Sequence, residues 1–154
     1  MHGYSAVGLF NPKCNANVGG VLRAAQCYGV SLVAIQGQRY ARASTDTTKA
    51  YKHIPLIHGN LHELVPFDCI PIAVDLVSEA TSLHSFSHPE RAFYVFGPED
   101  STLGKDVLDW CAQTVYIPTN GCMNLAATVN VVLYDRQRKR ACEERVFLGK
   151  GLHP

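Results

Sequence analysis

Three stretches of the chain combine glycine, proline and amide side chains in the way a binding loop requires. The first, Asn11-Pro12-Lys13-Cys14-Asn15-Ala16-Asn17-Val18-Gly19-Gly20-Val21-Leu22-Arg23, leads from an apolar run into one with helical spacing. Its paired glycines permit close backbone approach, and the start of a helix offers free N–H groups to an anion. The second, Phe96-Gly97-Pro98-Glu99-Asp100, ends an apolar run in a Gly-Pro turn that carries a carboxylate. Taken alone, it reads as an ordinary turn with a solvated acid. The third, Ile117-Pro118-Thr119-Asn120-Gly121-Cys122-Met123-Asn124-Leu125, is an irregular loop before a helix for which Asn124 is a suitable N-cap. All three offer amide, carbonyl and backbone groups with few charges. That chemistry suits a neutral heterocycle and a polar cofactor better than a triphosphate.

Other constellations fit less well. The sequence has no G-x-G-x-x-G and no Walker lysine, so it lacks a phosphate cradle for a dinucleotide or a P-loop nucleotide. His58 with His62, and His84 with His88, have i, i+4 spacing, but no glutamate motif accompanies them and no metal site is expected. No serine or cysteine stands in a G-x-S-x-G elbow, which disfavours covalent hydrolysis.

The elements that must position these loops alternate between strand and helix. Short runs, apolar throughout, predict strands over Ser5 to Phe10, Ser31 to Gln36, Ile70 to Asp75, Ala92 to Phe96 and Thr114 to Ile117. Between the first two, Val18, Leu22 and Ala25 share a helical face, Asn15 or Asn17 could cap its start, and Gly29 could stop it. A second helix is expected over Leu103 to Cys111. A third carries Leu125, Val129, Val132 and Leu133 at i, i+4, i+7 and i+8. Alternating βαβ units define an α/β fold with a mostly parallel sheet flanked by helices. In such sheets ligands bind outside the carboxyl ends of the strands, where all three loops fall. The stretch from Gly37 to His53 is polar, with Ser44, Thr45, Asp46, Thr47 and Thr48, and is long enough for a binding loop.

Composition sets the outer bounds. A length of 154 residues with 47% hydrophobic and 18% charged side chains predicts one globular domain over residues 1–154. The net charge of +1 gives no overall positive field, so any RNA site must be local. Arg136, Arg138, Lys139 and Arg140 form the dense basic cluster. It reads as the solvated end of a helix, with phosphate contact as the alternative. Six cysteines without a CxxC pair read as reduced thiols, and neither a secretory leader nor a membrane span is expected, which points to the cytoplasm.

Taken together and in order, the three loops resemble the three motifs of the SpoU, or TrmH-like, branch of the SPOUT RNA methyltransferases. The correspondence runs through Asn17 to Arg23, then Phe96-Gly97-Pro98-Glu99, then Ile117 to Leu125 with the helix to Tyr134 and Asp135. The resemblance implies a C-terminal trefoil knot and S-adenosylmethionine as cofactor, held against Val74, Gly97, Ile117, Cys122 and Leu125. It assigns Asn17, Arg23, Glu99 and Asn124 to catalysis and RNA handling, with the arginine often cast as a general base; because a guanidinium normally stays protonated, a phosphate clamp and alkoxide stabiliser is the preferred role for Arg23. The implied reaction is methylation of a ribose 2′-hydroxyl by a homodimer, on tRNA first and rRNA second. Leu22 and Val129 would lie on the dimer faces, and Arg39, Arg42 and the Arg136 to Arg140 cluster would meet phosphates. Many relatives carry serine where Cys122 stands. The alternative is a non-catalytic RNA-binding dimer that retains the fold.

Overall fold

The structure, a computed structural model, describes residues 3–39 and 53–150, with side chains as far as residue 144. The chain runs β1 (Ser5–Phe10), α1 (Asn15–Cys27), β2 (Leu32–Gln36), β3 (Leu56–His58), β4 (Ile70–Val74), β5 (Thr81–Ser82), β6 (Ala92–Phe96), α2 (Lys105–Trp110), β7 (Gln113–Tyr116) and α3 (Leu125–Lys150). Among the described residues the strands form a seven-stranded sheet in the order β3-β2-β1-β6-β4-β7-β5, and every pairing is parallel.

Alternate residues of each central strand supply two separate cores. On one face Val7, Leu9, Ile35, Ile72, Tyr94, Phe96 and Val115 pack against α1 and α3. On the other Ala6, Ala34, Ala73, Phe93 and Val95 meet Leu61 from the segment between β3 and β4, Leu103 just before α2, and Val107 of α2. Burial on both faces explains why these strands are apolar throughout. Strands β3 and β5 lie at the two edges of the sheet and were not expected from the sequence. Leu56, Ile57 and His58 are too few to show a pattern, and Thr81–Ser82 is polar.

Helix α1 starts without the asparagine cap the sequence suggested. Cys14 occupies the N-cap in an extended conformation with no side-chain cap bond, and Asn15 and Asn17 lie inside the helix. Gly20 faces α3 instead of a ligand: a Cβ there would stand 2.8 Å from the Ala126 side chain. Its role is the close packing of α1 on α3. Leu22 and Val129 sit in that same interface at 0% exposure, so they belong to the core of the chain and not to a dimer surface. Helix α2 is shorter than Leu103 to Cys111, since Gly104 at φ +82 is its N-cap. The expected cap of α3 is present: Asn124 Oδ1 accepts from the Ala126 and Ala127 N–H groups at 2.9 and 3.3 Å.

The basic cluster on α3 is largely structural, contrary to the expectation of a solvated end. Arg136 is only 5% exposed and donates to the carbonyls of Pro89 (2.6 Å), Glu90 (2.7 Å) and Tyr4 (3.3 Å) and to the Tyr94 hydroxyl (3.3 Å). Lys139 pairs with Asp135 at 2.7 Å and donates to the carbonyls of Leu83 and Phe86. Between them His88 Nε2 lies 3.0 Å from Asp135 and its Nδ1 lies 2.6 Å from Tyr94 Oη. Burial pushes the His88 pKa down and that of Tyr94 up to about 12, so both stay neutral near pH 7. The proton directions follow: Arg136 donates to Tyr94, Tyr94 to His88 Nδ1, and His88 Nε2–H to Asp135. All six cysteines are free. Among the described residues no helix is long and apolar enough to cross a membrane.

Candidate active site

The carboxyl ends of β4, β6 and β7 open into one cavity of about 740 Å3. Its walls are the ends of those strands, the loops 97–102 and 117–123, and the first turn of α3. Val74, Gly97, Ile117, Cys122 and Leu125, far apart in sequence, all line it. The wall is predominantly apolar, through Val74, Leu76, Phe96, Ile117 and Leu125, and residues such as Glu99, Thr119 and Asn120 supply polar points. Leu76 is 76% exposed although it is a large apolar residue at the mouth of a cavity, and sequence reasoning missed it. Its position two residues beyond the end of β4 was the available signal. Asp75 beside it fixes the floor by accepting from the N–H groups of Leu76 (2.8 Å) and Leu103 (3.0 Å).

Three of the four polar residues singled out in the sequence form a continuous array beside this cavity. Asn124 Nδ2 donates to Asn17 Oδ1 at 2.8 Å, and Asn17 Nδ2 donates to Glu99 Oε1 at 2.8 Å. The Glu99 carboxylate also accepts from the backbone N–H groups of Lys13 (2.9 Å) and Cys14 (3.2 Å), just ahead of α1. One acid thus supplies the anion that the exposed donors at the start of α1 favour, and one pair of amides ties all three loops together. Partial burial pushes the Glu99 carboxyl upward, but the Asn17 hydrogen bond and the backbone donors outweigh it and hold the group below the usual carboxylate range. With both oxygens engaged by donors at and just ahead of the start of α1, the carboxylate is an anchor.

Arg23 is not brought to the array. It is exposed on α1 and is absent from the cavity wall of its own chain.

The loops after β1 and β2 cross in close contact. Asn11 adopts φ +50 and its N–H donates to Gln36 O at 2.6 Å, while Gly37 adopts φ +113. A Cβ on Gly37 would lie 2.8 Å from Asn11 Oδ1 and 2.9 Å from Asn11 Cα, so only glycine fits the crossing. Beyond it, Arg39 grips Asp100 with its two terminal guanidinium nitrogens at 3.2 and 2.9 Å, and Lys13 Nζ stands 3.8 Å from the same carboxylate. The Arg39 hydrogen bond holds the Asp100 carboxyl below its ordinary range. Arg42 and the polar run 44–48 lie outside the described residues. Among the described residues no group of three or more His, Cys, Asp and Glu is placed to hold a metal ion.

Comparison with known proteins gives a consistent picture. The model of the SpoU rRNA methylase family matches residues 5–134. No curated protein matches the sequence. Among solved structures, one described as giving insights into the 2-OH methylation of C/U34 on tRNA superposes with a TM-score of 0.76 at 23% identity, covering 90% of this chain and 92% of that one. The A. aeolicus TrmH/SpoU tRNA modifying enzyme gives a TM-score of 0.75 at 17% identity, covering 91% of this chain and 77% of that one. The SpoU methyltransferase AviRb from Streptomyces viridochromogenes, in complex with AdoMet, gives 0.77 at 18% identity, covering 92% of this chain and 59% of that one.

Proposed function

The chain belongs to the SpoU rRNA methylase family, and from that premise we propose that it transfers the methyl group of S-adenosylmethionine to a ribose 2′-hydroxyl of RNA. The observation that carries this reading is the meeting of the three loops at one cavity, with the Asn124–Asn17–Glu99 array beside it.

The cavity suits the cofactor. About 740 Å3 lies within the rough 300–1,000 Å3 of small-molecule sites. Its apolar side chains fit a nucleoside, and the Glu99 carboxylate in its lining favours a cation. Val74, Gly97, Ile117, Cys122 and Leu125 would hold it. When bound, S-adenosylmethionine supplies an electrophilic methyl group on a sulfonium sulfur.

The chain's own residues position and polarise. Each amide of the array is engaged on both its oxygen and its nitrogen, or on the carboxylate beside it, so Asn17, Asn124 and Glu99 act by fixing the three loops in one geometry. Both Glu99 oxygens are already engaged by the Asn17, Lys13 and Cys14 donors, which favours an anchoring role over that of a base. Arg23 clamps a phosphate and stabilises the alkoxide that develops on the ribose oxygen. Because Arg23 is not in the wall of its own cavity, the reading includes a homodimer in which Arg23 of one protomer faces the cavity of the other. The substrate is tRNA in the first instance and rRNA in the second. A solved neighbour concerned with 2-OH methylation on tRNA, nearly matched to this chain in length, supports that order. A single cytoplasmic catalytic domain whose C-terminal segment threads a loop completes the proposal.

Calorimetric titration with S-adenosylmethionine tests it. Binding to the wild-type chain is expected, with affinity reduced at least about tenfold in Ile117→Asp, which sets a charge in the apolar wall. A folded wild-type chain that binds RNA but no cofactor would instead be the non-catalytic RNA-binding dimer.

A further inference from the structure

Lys13 follows β1 and Arg39 follows β2, yet both end on one carboxylate, that of Asp100. The Asn11–Gly37 crossing brings the two loops together, and the Gly97-to-Asp100 turn delivers the acid. Asp100 lines the cavity and directly follows Glu99, so the cluster sits at the rim of the candidate active site. All three side chains face solvent, with exposures of 62% for Lys13, 34% for Arg39 and 45% for Asp100. Among the described residues, the side chains that meet the Asp100 carboxylate are these two cations.

An exposed ion pair contributes little to the stability of a fold, so a structural strut explains this convergence poorly. It does hold an arginine ready. The guanidinium already accommodates two oxygens of one anion, which is the geometry of the two non-bridging oxygens of a phosphodiester. Lys13 adds a point charge on the same side. Removing the carboxylate from the cluster leaves two cations facing outward next to the cavity, where the RNA backbone on either side of a target ribose must pass.

We propose that Asp100 is an internal stand-in for an RNA phosphate: in the free protein it orders Arg39 and Lys13 at the cavity rim, and a backbone phosphodiester beside the target nucleotide displaces it. This inference rests on the RNA methyl-transfer reading. Ordering the arginine beforehand lowers the entropy lost on binding, and the competing carboxylate makes engagement selective for an anion that can take its place.

The stand-in and the strut predict opposite signs for one substitution. Asp100→Asn keeps a neutral acceptor for Arg39 but removes the competing charge. Binding of fluorescently labelled, unfractionated tRNA is measured by anisotropy between about 50 and 200 mM salt for wild type, Arg39→Gln and Asp100→Asn. Asp100→Asn is expected to bind at least about threefold more tightly at the low-salt end, because a like charge next to the phosphate is gone. Arg39→Gln is expected to weaken binding and to cut the slope of log K against log salt by about 0.7–0.9, one phosphate contact. Tighter binding by Asp100→Asn with its melting temperature retained supports the stand-in. Unchanged or weaker binding by Asp100→Asn, or a melting loss of several degrees, overturns it. If wild type binds tRNA and transfers methyl while Asp100→Asn binds more weakly, only this inference falls. If wild type neither binds S-adenosylmethionine nor transfers methyl, the underlying reading falls with it.

Discussion

Replacing Glu99 by glutamine tests the anchor of the array with a predictable sign and size. The carboxylate accepts from three donors, Cys14 N–H and Asn17 Nδ2 on Oε1 and Lys13 N–H on Oε2. Glutamine has one acceptor oxygen, which best keeps the pair on Oε1 and turns its own NH2 toward the Lys13 N–H, donor against donor. A hydrogen bond to a charged group contributes roughly 1.5–3 kcal/mol when shielded, and the exposure of Glu99 reduces the expected loss to about 1 kcal/mol. For a chain of this size that corresponds to a fall of about 2–4 °C in Tm. The pH dependence follows from the depressed carboxyl. Its stabilisation is fully present above the unfolded-state pKa and is lost as pH falls through the lower folded-state value. Thermal unfolding followed by circular dichroism, from neutral pH downward, should show a Tm gap between wild type and Glu99→Gln that narrows on acidification, because protonated Glu99 in the wild type also presents a donor. No gap at neutral pH, or a gap that stays constant into acid, would refute the role assigned to the carboxylate.

Gly37→Ala places a Cβ against the Asn11 backbone at a left-handed φ and should cost about 1–3 kcal/mol in denaturant unfolding. Arg136→Met takes the guanidinium donor from the carbonyls of Pro89 and Glu90, while the Tyr4 carbonyl keeps the Ala92 N–H, and should cost about 3 kcal/mol. RNA affinity lost without a stability change would instead put that guanidinium on the RNA. Arg23→Lys should lower kcat at least about tenfold with the fold and cofactor affinity retained, since an ammonium cannot reproduce a two-pronged clamp. Near-normal turnover in steady-state kinetics would remove the specific guanidinium role.

The central strands and the three loops were legible in the sequence because each follows from local chemistry. Buried parallel strands must be apolar on both faces, and turns at strand ends need glycine, proline or amides. The edge strands were not legible: β5 is two polar residues, held only by their register beside β7. The joining of Asn17 to Glu99 and Asn124 spans 82 and 107 residues, so nothing local could show it. Arg136 was misread as a solvated charge although a signal existed, since it extends the stripe of Val129, Val132 and Leu133 by one further turn. A cation in line with an apolar face is a candidate for burial against carbonyls. Arg39 was read as a phosphate contact without its partner, because only the crossing of two loops brings Asp100 to it.

The most direct test incubates the purified chain with methyl-labelled S-adenosylmethionine and total tRNA or rRNA, then digests the RNA to nucleosides and locates the label by mass spectrometry. Label on a ribose 2′-oxygen is predicted. Label on a base, or none in RNA that the chain demonstrably binds together with the cofactor, would contradict the proposed reaction.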